Sequence, residues 1–221
     1  MADSTNYLGN PNLVKVGVKN EYTKDQIIEY QKCAKDPIYF MVNYIKIVSL
    51  DEGLVPFKMY GFQKKIVETI HNNRFTICKL PRQSGKSTTT ISYLLHYALF
   101  NPNSNIALLA NKSSTARDIL SRLQLAYENL PKWMQQGVIN WNKGNIELEN
   151  KSTIVAAATS SSAIRGGSFN IIFCFRRISF TGSHCFLPQF MSAFSLNSLN
   201  TKCHGELFCR RVSSLVVFMV F

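Results

Sequence analysis

Apolar and polar positions change period several times along the chain, and each change marks an element. Over residues 61–71, Phe62, Ile66, Val67 and Ile70 recur at helical spacing on one face. Phe75-Thr76-Ile77-Cys78 then reads as a buried strand, and a polar loop follows it. Thr88-Thr89-Thr90-Ile91-Ser92-Tyr93-Leu94-Leu95 reads as the opening of a second helix. Asn105-Ile106-Ala107-Leu108-Leu109-Ala110 is another apolar strand pattern. Beyond it, Ile119, Leu120, Leu123, Tyr127 and Leu130 share a helix face that Ser114 or Thr115 can cap and Pro131 stops. Asn145-Ile146-Glu147-Leu148-Glu149 and Thr153-Ile154-Val155-Ala156 flank a short polar turn, a hairpin signal. Asn170-Ile171-Ile172-Phe173 begins one more apolar strand. Upstream, Thr23-Lys24-Asp25-Gln26 is a capping box that opens a helix through about Cys33. Strands alternating with helices predict an α/β fold with a mostly parallel sheet flanked by helices. Such a sheet binds ligands at the carboxyl ends of its strands.

The pattern breaks after Phe173. Residues 174–221 hold four of the six Cys, eight of the fifteen Phe, five basic residues and a single acid, Glu206. From Ser179 to Asn200 neither helical nor strand period persists, so local propensity and pattern disagree, as in a sequence not selected to fold. The expected organisation is an N-terminal extension over 1–34, a partial domain over 35–173 that is incomplete at its C-terminal side, and an aberrant, non-native or disordered tail over 174–221. The Cys and His residues of that tail fit no zinc spacing.

Charge adds a partner class. The chain carries 25 Lys and Arg against 13 Asp and Glu, a net charge of +12, which favours a polyanion and most simply nucleic acid. Residues 1–12 are polar, with no secretory apolar segment, and no apolar run approaches the roughly 20 residues of a membrane span. The closing Leu215-Val216-Val217-Phe218-Met219-Val220-Phe221 is apolar but too short for that role. Six Cys without paired spacing predict reduced thiols in a cytosol.

The candidate chemistry sits in Leu80-Pro81-Arg82-Gln83-Ser84-Gly85-Lys86-Ser87. A strand, a tight loop ending in Gly-Lys-Ser, and a helix form the context of a P-loop. In that reading the amides of Arg82, Gln83, Ser84, Gly85, Lys86, Ser87 and Thr88 cradle phosphates, helped by the helix N-terminus. Lys86 reaches the β- and γ-phosphates, Ser87 holds Mg²⁺, and Arg82 can act as an arginine finger in cis. Leu80 stands where the usual first glycine would be. About twenty residues upstream, Gln63 can hydrogen-bond an adenine edge. Tyr60 or Phe62 can stack on the base, although for Phe62 a place in the core is the stronger expectation. Asn111, after the second strand, is a candidate for coupling nucleotide state to DNA or to a neighbouring subunit, and Arg165, before the last strand, for acting on nucleotide or on an adjacent subunit's site. A P-loop ATPase also needs an acidic pair at the end of an apolar strand. After Phe173 the chain reads Cys174-Phe175-Arg176-Arg177-Ile178, with cations in place of acids.

Taken in order, these motifs resemble the N-terminal ATPase part of the large terminase of tailed bacteriophages, especially contractile-tailed ones. The resemblance rests on Tyr60-Gly61-Phe62-Gln63, the Arg-Gln-x-Gly-Lys-Ser loop at 82–87, and Leu109-Ala110-Asn111-Lys112. It continues through Leu130-Pro131, Trp141-Asn142-Lys143-Gly144-Asn145-Ile146-Glu147-Leu148 and Arg165-Gly166-Gly167-Ser168-Phe169, and so spans roughly residues 35–173. It implies ATP and Mg²⁺ as cofactors, and a motor that drives double-stranded DNA into the procapsid. Implied partners are the portal protein, the small terminase subunit and further copies of the chain, in the host cytoplasm. It also implies that the missing first glycine is a family trait. The family's apolar strand ends in Asp-Glu. The codons TTT-AGA-CGA-ATT-T, one way to write Phe175-Arg176-Arg177-Ile178, give Leu-Asp-Glu-Phe when read one base later. A frameshift near Cys174 is therefore expected, and this chain is expected to bind ATP with little hydrolysis and to lack the family's nuclease domain. A helicase-like DNA-dependent ATPase fragment and a non-catalytic nucleotide-binding module are the alternatives.

Overall fold

The computed structural model describes residues 5–18, 21–49, 52–81, 83–159, 167–176 and 215–220. Two helices come first, α1 (Lys24–Lys35) and α2 (Pro37–Tyr44). The capping box at α1 forms as the sequence predicts: Gln26 N donates to Thr23 Oγ1 at 3.3 Å, and Thr23 N donates to Gln26 Oε1 at 3.0 Å. Helix α2 was not foreseen, yet its start is specified locally. Asp36 Oδ1 accepts from Ile38 N at 2.8 Å, and Pro37, which has no amide hydrogen to lose, occupies the first turn. A small antiparallel hairpin of β1 (Lys46–Ser49) and β2 (Gly53–Pro56) leads to α3 (Gly61–Asn72).

The central sheet is built from β3 (Phe75–Lys79), β4 (Asn105–Ala110), β5 (Val138–Trp141), β6 (Asn145–Leu148), β7 (Thr153–Ala158), β8 (Ile171–Arg176) and β9 (Leu215–Val220). Their order is β3-β9-β8-β4-β7-β6-β5. The first five strands in that order are mutually parallel, and β6 and β5 extend the sheet antiparallel. Helix α4 (Lys86–Phe100) connects β3 to β4, and α5 (Ser113–Glu128) follows β4. The α/β class with a mostly parallel sheet is the one the sequence predicts. Helix α5 starts at Ser113, one residue before the expected caps.

Strand β9 is the departure from expectation in this sheet. It comes from the segment read as aberrant, and it pairs in parallel register with β3 on one side and β8 on the other. A run of Leu, Val, Val, Phe, Met and Val has the composition that an interior parallel strand requires. The remaining described part of the tail is the β8 end, Cys174, Phe175 and Arg176; residues 177–214 lie outside the described residues.

Helices and sheet share one large core. It includes Ile106, Leu108 and Ala110 of β4, Ile171 and Phe173 of β8, Leu94, Leu95 and Leu99 of α4, and Leu120 and Leu123 of α5. Leu13 and Cys33, from the stretch expected to be an N-terminal extension, are buried in the same core. Val138 N also donates to Val14 O at 2.9 Å, tying that stretch to β5. On the opposite face of the sheet, Ala107, Leu109, Ile172 and Cys174 form a smaller cluster with Ala157 and Phe169 against it. Phe75 and Ile77 of β3 remain exposed, although the sequence run predicts burial. No helix among the described residues is long and apolar enough to cross a membrane.

Candidate functional site

The loop between β3 and α4 is shaped by two backbone conformations that L side chains rarely adopt. Gln83 has φ of 60° and Gly85 has φ of 70°, with Gly85 as the residue that leads into α4. Glycine accepts that geometry without the steric cost a β-carbon would bring. Space matters here as well: a β-carbon on Gly85 would lie 2.6 Å from Gln63 Nε2. Within the loop, Ser84 Oγ donates to Pro81 O at 3.0 Å. Helix α4 thus begins at Lys86, so its N-terminal end, where helix amides lack intrahelical acceptors as a rule, follows the loop directly.

Lys86 is only 2% exposed. A buried ammonium needs partners, and Nζ donates to Pro81 O at 2.6 Å and to Leu80 O at 3.4 Å. The loop therefore holds its own cation against its backbone carbonyls. Ser87 and Thr88 are half-buried in the first turn of the helix. Deeper in α4, His96 ties the helix to α1: its Nε2 lies 2.8 Å from Cys33 O, and its ring packs 4.8 Å from that of Phe100. Burial pushes the His96 pKa down to about 4, so the ring is neutral and Nε2 donates to the carbonyl.

Gln63 occupies an inward position at the start of α3. It is 3% exposed, and its side-chain amide is used at both ends. Oε1 accepts from Tyr60 N at 2.9 Å, and Nε2 donates to Ser84 O at 3.3 Å. Phe62, expected in the core, is instead 43% exposed. It stacks on Tyr60, itself 68% exposed, at a centroid distance of 5.8 Å with planes 7° apart. The helical period is respected, but Gln63 rather than Phe62 joins Ile66, Val67 and Ile70 on the buried face.

A cleft of about 650 Å³ joins these features. Tyr60, Phe62 and Gln63 line it together with Gln83, Ser84, Gly85 and Thr88 of the loop region, and Ile47, Glu52 and Val55 of the β1–β2 hairpin line it as well. The volume lies within the range of small-molecule sites. The structure thus brings together Tyr60, Gln63, Gln83, Ser84, Gly85 and Thr88, with Lys86 and Ser87 at the base of the same loop. Arg82 and Arg165 lie outside the described residues. Asn111 is exposed directly after β4. The hairpin wall was missed in the sequence; the polar stretch Asp51-Glu52-Gly53 between Ile47-Val48 and Leu54-Val55 was the available signal.

The residues suit a nucleotide better than they suit its metal ion. The strand, the loop with two left-handed residues, the buried lysine and the helix N-terminus fit a triphosphate. For Mg²⁺ the loop offers the Ser87 hydroxyl. The end of β8, one strand beyond β9 in the sheet, carries Cys174, Phe175 and Arg176, none of them a carboxylate. No group of three or more His, Cys, Asp or Glu side chains suited to a metal occurs among the described residues.

Comparison with known proteins shows what the chain is similar to. Residues 77–174 match the family described as terminase large subunit, T4-like-virus type, N-terminal. The terminase match runs from within β3 to within β8 and so contains the whole loop and α4. Two solved structures share the fold. The large terminase of bacteriophage HK97 superposes with a TM-score of 0.58 at 14% identity, over 85% of this chain and 37% of that one. A variant of the Thermus phage P74-26 large terminase ATPase domain gives 0.50 at 13% identity, over 74% of this chain and 65% of that one. The chain therefore spans little more than a third of the first terminase and about two thirds of the second protein's ATPase domain.

Proposed function

We propose that this chain is the nucleotide-binding part of a terminase large subunit, the ATP-driven motor that packages double-stranded DNA. The observation that carries this reading is the buried Lys86 at the N-terminus of α4, inside a loop that opens onto the cleft beside Tyr60 and Phe62. In the proposed complex, the amides at the start of α4 donate to phosphate oxygens. Lys86 exchanges the Pro81 and Leu80 carbonyls for the β- and γ-phosphates, and the Tyr60–Phe62 face packs against the base. Ser87 would be one of the ligands of Mg²⁺, which would supply neutralisation of the phosphate charge. Arg82 keeps its proposed place on the γ-phosphate, Asn111 in coupling to DNA or to a neighbouring copy, and Arg165 on nucleotide or on a neighbouring copy's site. The net charge of +12 supports DNA as the polymer partner. Portal protein, small terminase subunit and further copies of the chain are the partners the resemblance implies.

A specific observation favours a second, narrower reading. The strand β8 ends in Cys174-Phe175-Arg176, so the acids that would hold Mg²⁺ and activate water are not on it. In that reading the chain binds ATP without turning it over. Calorimetric titration with ATP and Mg²⁺, paired with a phosphate-release assay with and without double-stranded DNA, tests both. Saturable ATP binding that Lys86→Ala removes supports the site, and phosphate release separates motor from binding module. A wild-type chain that binds no ATP would overturn the proposal.

A further inference from the structure

A second, smaller groove of about 330 Å³ runs between the start of the β1–β2 hairpin, α4 and α5. Its floor is apolar and buried, built from Ile45, Ile91 of α4 and Ala126 of α5. Val48 and Leu125 add exposed apolar surface to the lining. Lys46 of β1 and Arg122 of α5 are exposed beside them, and no acid lines the groove among the described residues. Neither cation forms an ion pair among the described residues.

The free edge of β1 opens onto this groove. Phe57 N donates to Ile45 O at 2.9 Å, so in the antiparallel register Ile47 exchanges backbone bonds with Val55, whereas Lys46 and Val48 face their partners without them. Pro56, opposite Lys46, has no amide hydrogen to give and fits that alternation. The N–H and C=O groups of Lys46 and Val48 therefore point away from β2, and β1 has no second neighbour among the described strands. Residues 45–48 all line the groove, although successive side chains leave opposite faces of a strand, so the groove follows the edge of β1. We propose that this edge takes an extended acidic segment of a partner protein as a third strand. Backbone bonds to Lys46 and Val48 give affinity, an apolar side chain fills the floor, and carboxylates meet Lys46 and Arg122. A two-stranded ribbon is a marginal structure that a third strand completes. The edge lysine and the net charge of +12 disfavour a second copy of this chain and favour an acidic strand. The inference stands apart from the nucleotide-binding reading, although Ile47 and Thr88 line both the groove and the cleft.

The probe is a short synthetic peptide that alternates Glu with Val and Leu, titrated into the isotope-labelled full chain and followed by NMR. Saturable binding with a Kd below about 1 mM is expected, with amide shifts at residues 45–48 and 122–126. Absence of saturation by that concentration, or shifts confined to other residues, overturns the proposal. A counterpart with Lys in place of Glu should bind about tenfold more weakly or worse, and Arg122→Glu should narrow or reverse that preference. Equal binding of both peptides to both proteins removes the charge argument and the proposal with it. Backbone N-methylation of the acidic peptide takes away the donors a strand needs and leaves the protein untouched. Loss of binding by about tenfold or more supports strand addition, and unchanged binding overturns it. Three results would hand the groove to another occupant and overturn the proposal. The first is octanoate binding as tightly as the peptide and failing with Arg122→Glu, which marks a small amphiphilic anion. The second is a dimer in sedimentation that Arg122→Glu dissolves, which marks a second copy. The third is a short DNA duplex shifting the same amides at lower concentration than the peptide.

Discussion

At the carboxyl end of β3 and the carboxyl end of β8, one sheet presents two very different surfaces. β3 runs into a loop with two left-handed residues, a buried lysine and a helix N-terminus. β8, separated from it by β9, runs into Cys174, Phe175 and Arg176. The first surface draws its amides, helix end and lysine from one contiguous stretch. The second would have to supply carboxylates from a strand distant in sequence, and it brings none. In the proposed reading, phosphate binding is a local matter, whereas hydrolysis needs two remote segments to meet.

The largest expected effect breaks the built half. Lys86→Ala should lower ATP affinity by at least about a hundredfold, roughly 2.7 kcal/mol, in a calorimetric titration. Unchanged affinity would place the nucleotide elsewhere. The second concerns the helix on which that half stands. The His96 pKa is pushed from an ordinary 6.5 down to about 4 by burial, which outweighs the opposing bond to Cys33 O. The unfolded chain then binds the extra proton first as pH falls. Stability from this group is present above pH of about 6.5 and is lost as pH falls towards about 4. Between about pH 7 and pH 5 the expected loss is about 2 kcal/mol, read as a drop in the urea midpoint. His96→Gln, which cannot protonate, should flatten that dependence.

A third change tests the loop geometry. Gly85→Ala forces a β-carbon into a left-handed backbone and against Gln63, and should cost about 1–2 kcal/mol of stability together with weaker ATP binding. The smallest effect sharpens the deficient half. Arg176→Asp replaces a cation at the β8 end with an acid, and should make ATP affinity depend on Mg²⁺ by a few-fold more than in the wild type, about 1 kcal/mol or less. No change in Mg²⁺ dependence would separate the β8 end from the metal. The gene itself tests the reading of this half: a frame shifted by one base at codon 175 should encode Leu-Asp-Glu-Phe and continue as terminase.

Much of the built half was legible in the chain. The strand-loop-helix order, the capping box at Thr23 and the helix faces of α3 and α5 follow from local spacing, and the folded chain keeps them. Legibility failed where burial depends on a neighbour distant in sequence. Phe62 was assigned to the core on its helical spacing, but the neighbouring angular position, held by Gln63, faces the loop. An amide fits there because it finds Ser84 O and Tyr60 N, partners no periodicity can show. Helix α2 had a legible start in Asp36-Pro37, and its eight residues are too few for a convincing period. The exposure of Phe75 and Ile77 lies outside the reach of strand patterns, which show that a run is apolar and not what covers it.

The sequence by itself determined the fold class, the strand-loop-helix order around Gly85-Lys86-Ser87 and the run Cys174-Phe175-Arg176-Arg177 that carries no acid, because each is written in contiguous residues with short-range physical causes. Only the tertiary structure decided that Gln63 is buried and bonded to Ser84 O, that Tyr60 and Phe62 form one exposed aromatic face, that the β1–β2 hairpin lines the cleft, and that Leu215–Val220 lies between β3 and β8. Those outcomes rest on hydrogen bonds, packing and strand pairing between segments far apart in the chain.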